Sequence, residues 1–77
     1  MVKEVVIKII QEQFGSYHSE IDEETDFVED LNADSVDIVG LIMAFEDEFG
    51  LEFENSEIHK IKKVGDVIKY ISDTVGE

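Results

Sequence analysis

The 77 residues contain no cysteine, proline, tryptophan or arginine, and the six basic residues are lysines at 3, 8, 60, 62, 63 and 69. Each absence removes a class of function. Without cysteine the chain has no disulfide, no thiolate metal centre and no thiol of its own for acyl transfer. No apolar run approaches the roughly 20 residues that span a bilayer, and Lys3, Glu4 and Lys8 interrupt the aliphatic N-terminus, which lacks the apolar centre of a signal peptide. A soluble, cytoplasmic protein with no integral membrane association is expected. A chain this short forms one domain over residues 1–77 and buries only about 60% of its unfolded surface, too little to enclose a deep active site. A serine hydrolase needs a base within reach of its nucleophile. The only histidines are His18, in a loop, and His59, near a short helix; neither has a relay partner in view, and both read as surface residues. The chain reads as a non-enzyme.

What is present is acid. Sixteen of the twenty Asp and Glu fall between Ile9 and His59, where there is no lysine, and the net charge is −14. Such a surface repels nucleic acid and anionic lipid and steers toward basic protein partners, faster at low salt. Crowded carboxylates also work against compaction, so stability is expected to be lower at pH 7 than near about pH 5–6.

Spacing marks the helices. Val2, Val5, Val6, Ile9 and Ile10 recur at three and four residue steps and predict a first helix ending near Phe14-Gly15. Val64, Val67, Ile68, Ile71 and Val75 predict the last, ending before Gly76, and between Ser56 and Ile61 there is room for one short helix. From about Ser35 to Phe49 runs a helix with two apolar faces. Ile38, Leu41, Ile42, Phe45 and Phe49 lie within about 100° of one another, the stripe that a helix buries. Val36, Val39 and Met43 lie on another side beside Glu46 and Asp47. A small bundle cannot easily cover both, so the second face is expected to be an exposed apolar patch rimmed by carboxylates, suited to docking; the alternative is that the preceding loop folds over it. That loop, about twenty residues from Ser16 to Asp34, exceeds what a compact domain usually tolerates and must be pinned. Phe27, Val28 and Leu31 are the evident anchors, with Asp22, Glu23, Glu24 and Asp26 left in solvent. The fold class is all-α, a four-helix bundle with a short third helix and a long loop between helices one and two.

Residues 30–37 read Asp-Leu-Asn-Ala-Asp-Ser-Val-Asp. Asp34 and Ser35 are ordinary capping residues for the helix that follows. Asp30, Asn32 and Asp34 also match the first three ligand positions of a calcium-binding EF-hand loop. That match then fails, because its sixth position is Ser35 instead of glycine and its twelfth is Leu41 instead of glutamate. No metal ligand set is assigned, and an acidic scaffold or divalent-cation-binding protein remains the competing class.

Asp34-Ser35-Val36, followed by a helix carrying Met43, Glu46, Asp47 and Glu48, resembles the acyl carrier proteins, specifically the discrete carriers of dissociated fatty acid synthesis. The resemblance extends from Ile9-Ile10 through Phe27-Val28-Glu29-Asp30-Leu31 to Tyr70-Ile71. It implies that Ser35 carries 4'-phosphopantetheine, delivered from coenzyme A by a phosphopantetheinyl transferase, and that the arm brings the thiol this chain lacks. It further implies a monomeric carrier whose Asp34, Val36, Asp37, Val39, Met43, Glu46 and Asp47 meet basic patches on acyl-processing enzymes, and whose acyl chain shelters near Val28, Phe45, Phe53, Ile58 and Ile61. Polyketide, lipid A and D-alanyl carriers are in-class alternatives. The chain departs from the family pattern at Val36, usually leucine, at Gly40, often glutamate, and at Glu54-Asn55-Ser56, which lacks the usual proline.

Overall fold

The computed structural model describes residues 1–15 and 20–76, which form four helices and no strand. They are α1 (Val2–Phe14), α2 (Ser35–Phe49), α3 (Asn55–Ile58) and α4 (Val64–Val75). The expected all-α architecture, with its short third helix, is what forms. None of these helices is long and apolar enough to cross a membrane. His18 and the start of the connection at Ser16 lie outside the described residues.

Periodicity dictates which faces are buried. Val2, Val6 and Ile10 of α1, Leu41, Ile42 and Phe45 of α2, and Val64, Val67 and Ile71 of α4 all point into one core, with α1 packed against both α2 and α4. Each large aliphatic or aromatic side chain taken out of water here stabilises the fold by about 1.5–3 kcal/mol. The helix ends follow from local chemistry. α2 stops because Gly50 takes a left-handed conformation (φ 66°), in which its N–H and that of Leu51 both donate to the Glu46 carbonyl, at 2.9 and 3.2 Å. α4 begins where the Asp66 carboxylate accepts from the Lys62 and Lys63 N–H groups, both at 2.9 Å.

The connection before α2 is pinned by backbone as much as by side chains. Phe27 N–H donates to the Lys62 carbonyl (3.0 Å), Val64 N–H to Thr25 (2.9 Å) and Gly65 N–H to Glu23 (2.9 Å), so residues 23–27 run against the entry of α4. Gly65 permits the approach: a β-carbon there would lie 2.9 Å from the Glu23 carbonyl oxygen. One ion pair, Lys63–Glu24 at 3.1 Å, spans the same seam, and a second, Lys3–Glu23 at 3.7 Å, ties the connection to α1. They are exposed and contribute little.

One expected anchor is wrong. Phe27 and Leu31 are buried, joined by Ile21 and Ala33, but Val28 is 57% exposed. The Asp26 carboxylate accepts from both the Val28 and Glu29 N–H groups at 2.9 Å, closing a tight turn around it. In that turn Phe27 takes the inward position and Val28, next in sequence, is left in solvent. Nor is Asp26 simply a solvated acid. Its hydrogen bond from Glu29, chiefly, then that from Val28 and the nearby Lys62 and Lys63, hold its carboxyl below the ordinary carboxylate range against a smaller opposing effect of burial.

Candidate functional site

Ser35 is the first residue of α2 and is exposed. Asp34 precedes it in an extended conformation and caps the helix reciprocally with Asp37. Asp34 Oδ1 accepts from Asp37 N–H at 2.8 Å, and Asp37 Oδ2 accepts from Asp34 N–H at 3.1 Å. Both flanking acids therefore build the turn that holds Ser35 at the helix start. The capping reading holds for Asp34, not for Ser35, whose hydroxyl takes no hydrogen-bond partner among the described residues. It stands at the positive end of a 15-residue helix, where α2's dipole favours an anionic substituent.

Downstream on α2, the second apolar face is open. Val36 is 76% exposed, Val39 55% and Met43 63%, so the described part of the preceding loop does not fold over them. Asp47 lies beside them, exposed. Glu46 behaves differently from the free docking carboxylate expected of it. It is half-buried, and its Oε2 accepts from the Phe53 N–H at 2.9 Å, tying α2 to the connection that leads into α3. Gln13, which helical spacing did not single out, reaches from α1 to donate through Nε2 to the Asp37 carbonyl at 2.9 Å and lies over Gly40.

Beneath α2 is an entirely apolar crevice too narrow to admit water, lined by Phe27, Ile38, Leu41, Ile42, Phe45, Ile61 and Val67. Of the residues expected to shelter an acyl chain, it brings together Phe45 and Ile61. Phe53 is buried next to it, its ring 6.5 Å from that of Phe45 and stacked on Tyr70 at 4.6 Å, and Ile58 packs on the core from outside. Val28, in solvent, is not part of it. Phe27, Ile38, Leu41, Ile42 and Val67 were legible only as core, because periodicity reports that a residue is buried and not which gap it borders.

Among the described residues no group of three or more His, Cys, Asp and Glu could hold a metal ion. Asp30 Oδ2 is engaged with the Asp26 N–H at 2.7 Å, and Asn32 adopts φ 56°, a turn conformation that asparagine tolerates. The two carboxylates that flank Ser35, those of Asp34 and Asp37, are both engaged in the helix cap. The arrangement presents an exposed hydroxyl at a capped helix start, flanked by acids and followed by an apolar strip.

Comparison with known proteins agrees with this geometry. The family described as "Phosphopantetheine attachment site" matches residues 4–71. Two proteins named "Acyl carrier protein" from Nitratidesulfovibrio vulgaris, strains DP4 and Hildenborough, are each 50% identical over 72 residues, covering 94% of this chain and 95% of theirs. That of strain Miyazaki F is 49% identical over the same span.

Proposed function

Since the chain belongs to the phosphopantetheine-bearing acyl carrier proteins, we propose that Ser35 is the residue to which the 4'-phosphopantetheine arm is attached. The protein is a carrier, not a catalyst. The observation that supports the assignment is the exposed Ser35 hydroxyl at the start of α2, which has no hydrogen-bond partner among the described residues. A transferase's base removes the hydroxyl proton as Oγ bonds to phosphorus of the coenzyme A pyrophosphate, and the adenosine bisphosphate leaves with the bridging oxygen. The new phosphodiester monoanion then lies at the helix N-terminus, where the backbone dipole favours it. When attached, the arm supplies the thiol that holds an acyl group as a thioester.

Val36, Val39 and Met43, with the carboxylates of Asp34, Asp37, Glu46 and Asp47 around them, form the surface for the transferase and for acyl-processing enzymes with basic patches. The crevice along Phe45 and Ile61 is the acyl shelter; being closed to water, it must widen to receive a chain. We assign the carrier, acting as one domain and as a monomer in the cytoplasm, to fatty acid synthesis.

Incubation with coenzyme A, magnesium and a phosphopantetheinyl transferase should raise the intact mass by one phosphopantetheine. Ser35→Ala should retain its helix content and remain unmodified. Modification at another residue, or none with several transferases, would overturn the assignment.

A further inference from the structure

The turn that carries Ser35 has little packing of its own. The first completely buried side chain of α2 is Leu41, more than a turn past Ser35. Ser35 and Val36 are exposed, and Asp37 and Ile38 are half-buried, with Ile38 packing on the core. A helix end held by so few contacts tends to fray. Polar groups hold this one. On the side where the chain enters, Ala33 is buried and its N–H donates to the Phe27 carbonyl at 2.9 Å. Within the turn, the Asp34–Asp37 cap and the Ile38 N–H bond to the Asp34 carbonyl, at 3.0 Å, move with the helix and fix it to nothing outside. On the far side, Gln13 in the last turn of α1 donates through Nε2 to the Asp37 carbonyl at 2.9 Å. Asp37 thus uses its N–H, its carboxylate and its carbonyl at once: the first two close the cap around Ser35, and the third ties that cap to α1. Gly40 presents no side chain there, and even a β-carbon would come to 3.4 Å from Gln13 Nε2, so the amide lies against the backbone of α2.

We propose that Gln13 is a positioning residue for attachment at Ser35: its amide holds the Asp37 carbonyl, so that the capped turn presents the Ser35 hydroxyl to the transferase in one orientation. This rests on the reading of Ser35 as the residue that takes the arm. Gln13 acts through Asp37 and touches none of the reacting atoms. Attack on phosphorus needs Oγ in line with the leaving oxygen, and lost alignment costs rate more than binding. Gln13 is exposed, so water competes for both ends of its bond and its share of the global stability is small. In the first turn of α2, where few other contacts act, the same bond weighs more.

The test uses the full chain and two variants that remove the donor. Gln13→Met keeps the length and helix preference of the side chain, and Gln13→Glu keeps its shape but turns an acceptor toward the Asp37 carbonyl. In the unmodified chain, both should speed amide hydrogen exchange of Asp37 and Ile38, followed by NMR, by about two- to ten-fold, the worth of one neutral hydrogen bond, while the Phe45 amide and Tm stay as in the parent. In single-turnover reactions with coenzyme A, magnesium and excess transferase, both should lower the maximal rate of Ser35 modification over the same span of about two- to ten-fold. The half-saturating transferase concentration should be unchanged for Gln13→Met and no higher for Gln13→Glu, whose added negative charge suits a basic partner. Gln13→Lys retains an N–H donor and should restore the maximal rate while raising the half-saturating concentration. Parental maximal rates in Gln13→Met and Gln13→Glu, or a change in half-saturation alone, would overturn the proposal. So would slowed modification with unaltered Asp37 and Ile38 exchange, which would make Gln13 a direct contact of the transferase. Absence of modification at Ser35 in the parent would refute the attachment reading and this one with it, whereas parental rates in the Gln13 variants refute this one alone.

Discussion

Alanine at Gly65 and alanine at Gly40 are the same chemical change in two helices, and the structure predicts opposite signs. At Gly65 the new β-carbon would lie 2.9 Å from the Glu23 carbonyl oxygen and 3.3 Å from the Glu23 β-carbon. Backbone cannot rotate away as a flexible side chain can, so residues 23–25 must back off from α4. That movement weakens the Gly65–Glu23 and Val64–Thr25 hydrogen bonds, about 0.5–1.5 kcal/mol each, and adds packing strain of about 1–3 kcal/mol. Alanine's helix preference returns up to about 1 kcal/mol. The net is a destabilisation of about 1–5 kcal/mol, which in a domain of this size lowers Tm by roughly 4–8 °C for each kcal/mol. At Gly40 the β-carbon meets only the end of the Gln13 side chain, at 3.4 Å. Gln13 is exposed and can turn to water, so most of the propensity gain survives and Tm should rise by a few degrees, about 0–1 kcal/mol. Thermal melts followed by circular dichroism, with urea titrations to confirm an unchanged m-value, measure both. A Gly65→Ala protein as stable as the parent would refute the claim that the α1–α2 connection is fixed against α4 by backbone contact, and Gly40→Ala destabilised by more than about 1 kcal/mol would show that the Gln13–Asp37 bond governs that face.

Asp47→Lys should slow modification of Ser35 several-fold at low salt and flatten its salt dependence with melting temperature unchanged, whereas Glu46→Lys should also lower Tm because it removes the acceptor of Phe53; transferase kinetics against ionic strength, with melts alongside, would refute this if both variants react at the parental rate. For pH, Asp26 has a folded-state pKa below its unfolded value, so its contribution is present above about pH 4 and is lost as pH falls through the folded value; Asp26→Asn should remove that part of the acid limb. Lys63, raised first by its hydrogen bond to Glu24 and then by that carboxylate's charge, contributes below its ordinary range and loses this as pH rises through its elevated folded value. Between these limits self-repulsion of a net −14 should make Tm lower at pH 7 than near pH 5.5 and make it rise with salt or magnesium; a Tm at pH 7 that is no lower and indifferent to both would show the charges to be locally paired.

Helix periods and stop signals were legible in the sequence because they depend on neighbours within one turn. α1, α2 and α4 end at Gly15, Gly50 and Gly76, and the apolar stripes of Leu41-Ile42-Phe45 and Val64-Val67-Ile71 enter the core as spacing requires. The position of Ser35 was legible for the same reason, since the Asp34–Asp37 pair caps across three residues. What escaped was set by contacts between distant segments. Whether Phe27 or Val28 turns inward goes with the Asp26 turn and the Phe27–Lys62 backbone bond, and Ala33 N–H donates to the Phe27 carbonyl of that same turn. Glu46 looked like any acid on an exposed face; nothing local announces that Phe53, seven residues on, will need its carboxylate. Gln13 likewise acts across 24 residues.

The Ser35 hydroxyl has no hydrogen-bond partner among the described residues, and that bears on how cheaply the chain can be charged. If Ser35 bears the arm, as proposed, attachment breaks none of the described hydrogen bonds and leaves the Asp34–Asp37 cap in place. On that reading the recipient gives up no contact to be charged, and the rate of charging is set by supply of coenzyme A and by encounter with the transferase.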